Sequence, residues 1–272
     1  MKKIIYDLGA SIGENIPYYL IKSDLVIVVE ANEICCNIIK KKFWKEINDK
    51  KLIVENCIVS DEDMDFDNFY IHRTNYLLSQ FPKPNYEMIN NFTPTKIIKK
   101  DIKNLIDKYG TPYYVKIDLE EYDDKVLKKI FSSNIKPIYI SAEATNRNVI
   151  ELFIKNQNYN FFKLIEGQLV DILYKNMKLN SNGNVIKYSF PNNSAGPFGN
   201  DIPDDWIDKK NFFELMEIKK TGWFDIHASL NDQPKKIYNL KYYLDQNIKN
   251  KRKAKLIKRW RRVISKINFL EK

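Results

Sequence analysis

Cysteine and histidine are scarce in this sequence: Cys35, Cys36 and Cys57 are the only thiols, and His72 and His227 the only imidazoles, in 272 residues. The cysteines are odd in number, lack Cys-x-x-Cys spacing and sit in hydrophobic runs. That excludes a disulfide framework or a zinc site and predicts small buried side chains in a reducing compartment. No stretch offers the ~18 uncharged apolar residues of a membrane span. The first candidate strand begins at Ile4, which leaves no room for a cleavable signal peptide, so a cytoplasmic protein is expected. There is no internal repeat. With 44% hydrophobic and 13% aromatic residues, the chain can bury one large core at the upper end of single-domain size.

The net charge of +10 is not spread along the chain. Residues 249–272 hold eleven Lys or Arg against one Glu, so residues 1–248 sum to zero. A neutral body argues against a nucleic-acid footprint, which spreads Lys and Arg over one folded face. In the tail, Leu256, Trp260, Val263, Ile264 and Ile267 fall at helical spacing, and nine of the fourteen residues 249–262 are basic. Such a helix either packs its apolar stripe on the body or makes peripheral contact with an anionic membrane at the inner face.

Strands and helices alternate along the body. The runs Ile4–Asp7, Leu25–Val29, Leu52–Val59, Tyr113–Ile117 and Ile138–Ala142 read as strands, with helical patterns between them. This alternation predicts an α/β fold with a mainly parallel sheet and helices on both faces. Residues 60–94 are polar and rich in Asn, Asp and Pro, and read as loops with one strand near Phe69–His72. Residues 159–188 read as paired strands, and 190–232 as an irregular run.

The first strand runs into Asp7-Leu8-Gly9-Ala10-Ser11-Ile12-Gly13-Glu14. Its glycines allow a sharp turn and close ligand approach at the carboxyl edge of a parallel sheet. Glu30 closes the next strand, at the spacing where an acid accepts hydrogen bonds from both ribose hydroxyls of a nucleoside cofactor. No Gly-Lys-Ser/Thr follows the turn, and the third glycine that brings a helix N-terminus to a pyrophosphate is missing. Asp7 and Glu14 would repel phosphate. A zwitterion with a ribose and no phosphate, such as S-adenosylmethionine (SAM), suits the loop.

The chain resembles the FkbM family of SAM-dependent methyltransferases. That family shows Asp-x-Gly-Ala-Asn-x-Gly after one strand, Glu-Pro-Asn after the next and a later Lys-Ile-Asp-Val-Glu-Gly. Here those places hold Asp7 to Gly13, then Glu30-Ala31-Asn32, then Lys116-Ile117-Asp118-Leu119-Glu120-Glu121. Ser11 replaces Asn, Ala31 replaces Pro and Glu121 replaces Gly. The resemblance spans about residues 4–145.

It implies a Rossmann-like class I methyltransferase fold with a reversed C-terminal hairpin. It also implies methyl transfer to oxygen with S-adenosylhomocysteine as second product, the acceptor being a hydroxyl of a saccharide or glycoconjugate of capsule or lipopolysaccharide type. The alternatives are another small polar or phosphorylated metabolite, or a non-catalytic binding module of a carbohydrate-assembly complex. Asp7, Gly9, Ala10, Gly13 and Glu14 would line the methionine end of SAM, and Glu30, Ala31 and Asn32 the ribose. Ser60 and Asp61 either flank the adenine or form a turn.

Asp118, Glu120 and Glu143 are expected at the carboxyl ends of neighbouring strands, where they could take the acceptor proton, bind a divalent metal or fix sugar hydroxyls. Asp118 or Glu120 could instead cap the helix beginning near Glu121. His227 is either a base tuned near neutrality or a buried histidine bonded to a backbone carbonyl. The expected domains are a SAM-binding domain over 1–189, an acceptor-side cover over 190–238 and a basic helical tail over 239–272.

Overall fold

In the computed structural model the described residues are 2–181, 183–233, 241–246, 248–252 and 255. Through its first half the chain runs β1 (Ile4–Leu8), α1 (Ile16–Lys22), β2 (Leu25–Glu30), α2 (Glu33–Lys42), α3 (Trp44–Asn48), β3 (Leu52–Asn56), β4 (Ile58–Ser60), β5 (Met64–His72), β6 (Phe92–Asp101) and α4 (Ile102–Tyr109). It continues with β7 (Tyr114–Ile117), α5 (Asp123–Ser132), β8 (Tyr139–Glu143), α6 (Arg147–Lys155), β9 (Phe161–Glu166) and α7 (Val170–Leu173). The last elements are β10 (Met177–Ser181), β11 (Asn184–Tyr188), β12 (Ile207–Asp208), α8 (Lys209–Lys219) and β13 (Phe224–Ser229).

Strands β1 and β2 are buried at every position because both faces of the sheet are covered. Ile4, Tyr6 and Leu8 of β1, with Leu25, Ile27 and Val29 of β2, pack into a core shared with α4, α5, α6 and α8. Their neighbours Ile5, Val26 and Val28 point to the other face, against Ile16 and Tyr19 of α1 and Ile39 of α2. Period-two alternation is thus hidden in near-continuous apolar runs broken by Asp7 and closed by Glu30, as buried parallel strands require.

The strand order is β12-β9-β13-β8-β7-β1-β2-β3. Strands β3, β2, β1, β7 and β8 pair in parallel, whereas β13 is antiparallel to both β8 and β9. Apart from the short edge strand β12, this is the Rossmann-like class I methyltransferase fold, α/β and mainly parallel with a reversed last strand. The order changes direction between β1 and β7, so ligands are expected at the carboxyl ends of that pair.

Two expectations need correction. Residues 60–94 are loops around one strand, as expected, but that strand starts earlier, at Met64, and β5 forms a long antiparallel ladder with β6 that β4 extends in parallel. Residues 190–233, the described part of the expected 190–238 cover, do not stand apart, since β12 and β13 enter the main sheet and Phe212, Leu215 and Met216 of α8 enter its core. Hydrophobic burial on β13 decides this: Phe224, Ile226 and Ala228 are fully apolar on one face and are buried. The three cysteines are free and buried, as expected.

Beyond β13, Tyr243 and Leu244 pack against the first core, and the Tyr243 hydroxyl donates to the Trp206 carbonyl at 3.3 Å. The amphipathic stripe from Leu256 onward lies outside the described residues. Among those described, no helix is long and apolar enough to cross a membrane.

Candidate active site

A cavity of ≈ 460 Å³ opens at the carboxyl ends of β1, β2, β7 and β8, where the strand order reverses. Its floor is the turn after β1. Gly9 takes φ +78° there, and its amide donates to the Val29 carbonyl at 2.9 Å, pulling the turn across the end of β2. Glu30 then fixes the loop from the other side: its carboxylate accepts from Ser11 N at 2.8 Å and Asn32 N at 2.7 Å, one bond on each oxygen. Each oxygen retains a second lone pair. Burial pushes the Glu30 carboxyl up to about 7 against those two backbone bonds.

The cavity wall beside Glu30 is apolar, formed by Ile58, Val59, Phe69, Leu77 and Phe81. The opposite end is acidic. Asp118 and Glu120 follow β7, Glu143 ends β8, and one oxygen from each of the three lies within 4.8 Å of the others. Asp225 on β13 pairs in register with Glu143 and lines the same wall. Burial and mutual repulsion raise the pKa values of three of these acids. Glu143 is pushed up to about 9 by burial and by Asp118, Asp225 and Glu120; Glu120 to about 7 by burial, Asp118 and Glu121; and Asp225 to about 7 by burial and Asp118. An all-oxygen set of this kind also fits a hard divalent cation.

Lys116 is the counter-charge and is 3% exposed. Its ammonium stands 3.1 Å from Asp118 and 3.3 Å from Asp7 and donates to the Gly9 carbonyl at 2.9 Å. Burial pulls its pKa down, but Asp118 and Asp7 outweigh that and hold it well above the ordinary lysine value. Burial raises Asp7 to about 6, with Lys116 opposing the rise, so both partners are charged at neutral pH. The pair ties the glycine turn to β7.

The expected site residues therefore divide. Gly9, Ala10, Glu14, Glu30, Ala31, Asp118, Glu120 and Glu143 line the cavity. Asp7 lies beneath it, wholly buried. Gly13 packs against Ile16, Ile39 and Phe43, and Asn32 caps α2 by accepting from Ile34 N. Ser60 and Asp61 form the turn that was the alternative for them: the Ser60 hydroxyl bonds to the Glu62 backbone, and Asp61 accepts from the Tyr122 hydroxyl at 2.7 Å.

His227 is corrected. It sits on β13 one side-chain row below Asp225, is 2% exposed, and neither ring nitrogen has a hydrogen-bond partner. Burial, then the Lys163 charge, pushes it down to about 3, so it is a neutral core residue remote from the cavity and not bonded to a carbonyl. Asn15, Lys116, Trp223 and Asp225 were missed. The parity of β13 puts Asp225 on the face of His227, and the pairing of Asp225 with Glu143 brings it to the cavity.

Two of the three departures from the FkbM pattern, Ser11 and Glu121, fall on strained backbone. Ser11 has φ +52° and Glu121 φ +72°, beside Glu120 at +49°. Asn and Gly, the residues of the pattern, are those that tolerate this region. Glu121→Gly should therefore raise stability by about 1 kcal/mol, as read by urea denaturation. A fall would show that the left-handed turn is not present.

No protein-family model matches the sequence, and no curated protein matches it. Among solved structures the chain is similar to residues 961–1257 of StiE O-MT at 8% identity, over 92% of this chain and 74% of that one, with TM-score 0.37. It is similar to a SAM-dependent O-methyltransferase from Thermotoga maritima at 8% identity, over 86% and 62%, with TM-score 0.35. A precorrin-6y C5,15-methyltransferase from Geobacter metallireducens GS-15 is similar at 9% identity, over 60% and 66%, with TM-score 0.34. The chain thus spans about two thirds of the length of the last two proteins. These likenesses are too distant to add to what the strand order itself establishes.

Proposed function

We propose that this chain is a SAM-dependent methyltransferase acting on a hydroxyl oxygen of a saccharide or glycoconjugate. The observation that carries the cofactor is Glu30, which ends β2 with a free lone pair on each oxygen, between the glycine turn and an apolar slot able to hold adenine. The acidic end suits the ammonium and sulfonium of SAM and repels phosphate. The acceptor reading rests on carboxylates able to take hydroxyl hydrogen bonds and on the Trp223 ring, 54% exposed at the rim, where it offers a flat apolar face to a sugar.

In the reaction the acceptor oxygen attacks the methyl carbon in line with the sulfonium. The C–O bond forms as the C–S bond breaks, its electron pair remains on sulfur as a thioether, and the hydroxyl proton passes to the Glu120 carboxylate. A group with its pKa near 7 is matched to that task. Asp118, Glu120 and Glu143 would also be the residues to hold a divalent ion, which would lower the pKa of a bound hydroxyl.

Calorimetry should show SAM and S-adenosylhomocysteine binding, with NAD and ATP inert. Glu30→Ala should weaken binding by roughly 1.5–3 kcal/mol, the range for hydrogen bonds to a charged group. Ribose hydroxyls favour the charged carboxylate, so wild-type affinity should rise from pH 6 to pH 8 as Glu30, at about 7 in the free protein, ionises. A folded Glu30→Ala protein with unchanged affinity overturns the assignment. Methyl transfer from labelled SAM to glycan acceptors separates the enzyme from a binding module, which releases no S-adenosylhomocysteine.

A further inference from the structure

Asn15 stands at the N-terminal end of α1, where an asparagine side chain would ordinarily cap its own helix. It does not: no side-chain cap bond is formed. Its Oδ1 accepts instead from the Ala195 amide at 2.9 Å, 180 residues away in the chain. That bond fixes the orientation of the amide, since only the oxygen can accept. The residue is 4% exposed, lines the cavity, and its Nδ2 has no partner among the described residues.

The surroundings give this nitrogen meaning. Six carboxylates line the cavity, those of Glu14, Glu30, Asp118, Glu120, Glu143 and Asp225. The one ammonium among the lining groups, Lys116, is committed to Asp7, Asp118 and the Gly9 carbonyl. A ligand carboxylate entering here meets repulsion on nearly every side and needs a donor. Among the lining side chains described, Asn15 Nδ2 is the buried nitrogen left to supply it, beside the unpartnered hydroxyls of Ser11 and Thr145.

We propose that Asn15 recognises the carboxylate of an amino-acid ligand, which under the cofactor reading above is the methionine end of SAM. The amide sorts the two charges of a zwitterion: its ammonium faces the acids and its carboxylate faces Nδ2. The same side chain tethers the 194–196 segment, and the next turns of α1 extend the grip. The Tyr18 hydroxyl donates to Asp201 at 2.8 Å and accepts from Phe198 N at 3.2 Å, and the Lys22 ammonium is 2.9 Å from Asp201. The residue that reads the carboxylate therefore also holds the loop facing the acceptor.

Asn15→Asp keeps an oxygen for Ala195 N and turns the donor into an acceptor. Calorimetry would compare S-adenosylhomocysteine with its decarboxylated analogue, in which hydrogen replaces the carboxylate, on wild-type and variant protein. The variant should bind S-adenosylhomocysteine about 30-fold or more weakly, and the decarboxylated analogue equally well or more tightly. Asn15→Ala, which removes donor and tether together, should lose about tenfold for the first ligand and little for the second. Thermal unfolding of each variant confirms that the fold persists, and Asn15→Ala serves where Asn15→Asp does not fold. Equal losses for both ligands, or an unchanged preference, overturn the inference while leaving the cofactor reading intact. Wild-type protein that binds neither ligand overturns both.

Discussion

Gly9→Ala should cost more than 4 kcal/mol of folding free energy, well above the ~1 kcal/mol centre of single substitutions. Two separate penalties act at this position. With φ at +78°, any Cβ carries the left-handed strain of about 1–2 kcal/mol. The Cβ would also sit 1.8 Å from the Asp118 carbonyl oxygen, inside any tolerable contact. Neither backbone can yield cheaply. Asp118 N donates to the Leu8 carbonyl at 3.1 Å, Gly9 N donates to Val29, and the Gly9 carbonyl receives Lys116. Gly183 is the internal control, because it has nearly the same φ, +85°, yet nothing lies within 4 Å of its Cβ position. Gly183→Ala should show the backbone strain alone. Urea denaturation of the two variants gives the comparison; equal costs would mean that β1 and β7 do not approach as described.

The same contact explains what was legible in the sequence. The turn from Asp7 to Gly13 and the acid at Glu30 are local features, set by glycine at positive φ and by a strand end, and both could be read along the chain. Lys116 could not be read as the counter-charge, because a lysine within a strand looks like a solvated interruption until the register places Asp7 beside it. His227 and Asp225 show the limit more sharply. The alternation of Phe224, Ile226 and Ala228 puts both polar residues on one face. Only the pairing of Asp225 with Glu143, and of His227 with Ser141, decides which one reaches the cavity. The β5–β6 ladder was missed for a related reason: in its exposed half Met64 and Phe66 alternate with Asp65 and Asp67 over only four residues before Asn68, too short a run to signal a strand, so its form depends on a partner strand distant in sequence.

Removing the acids at the other end of the cavity should separate chemistry from stability in opposite directions. Glu120→Gln should reduce turnover about 100-fold or more, since the amide cannot take the acceptor proton, while S-adenosylhomocysteine affinity stays near wild type. Glu143→Gln should lower turnover too, and it should also raise stability. The sign follows from linkage. Glu143 has an ordinary pKa of 4.5 and rises to about 9 in the fold, so between those values the folded chain holds a proton that the unfolded chain has released. Wild-type stability must then fall with increasing pH across that window, through this group. Glutamine mimics the protonated acid and removes the dependence, so the gain in melting temperature should be small near pH 5 and larger at pH 8. His227→Leu is the control for chemistry: it deletes two buried nitrogens without partners and should leave turnover intact. Full activity in Glu120→Gln, or loss of turnover only in His227→Leu, would move the proton acceptor away from the acidic wall. A chelator that abolishes wild-type turnover, restored by added Mg²⁺, would show that the three carboxylates act through a bound ion.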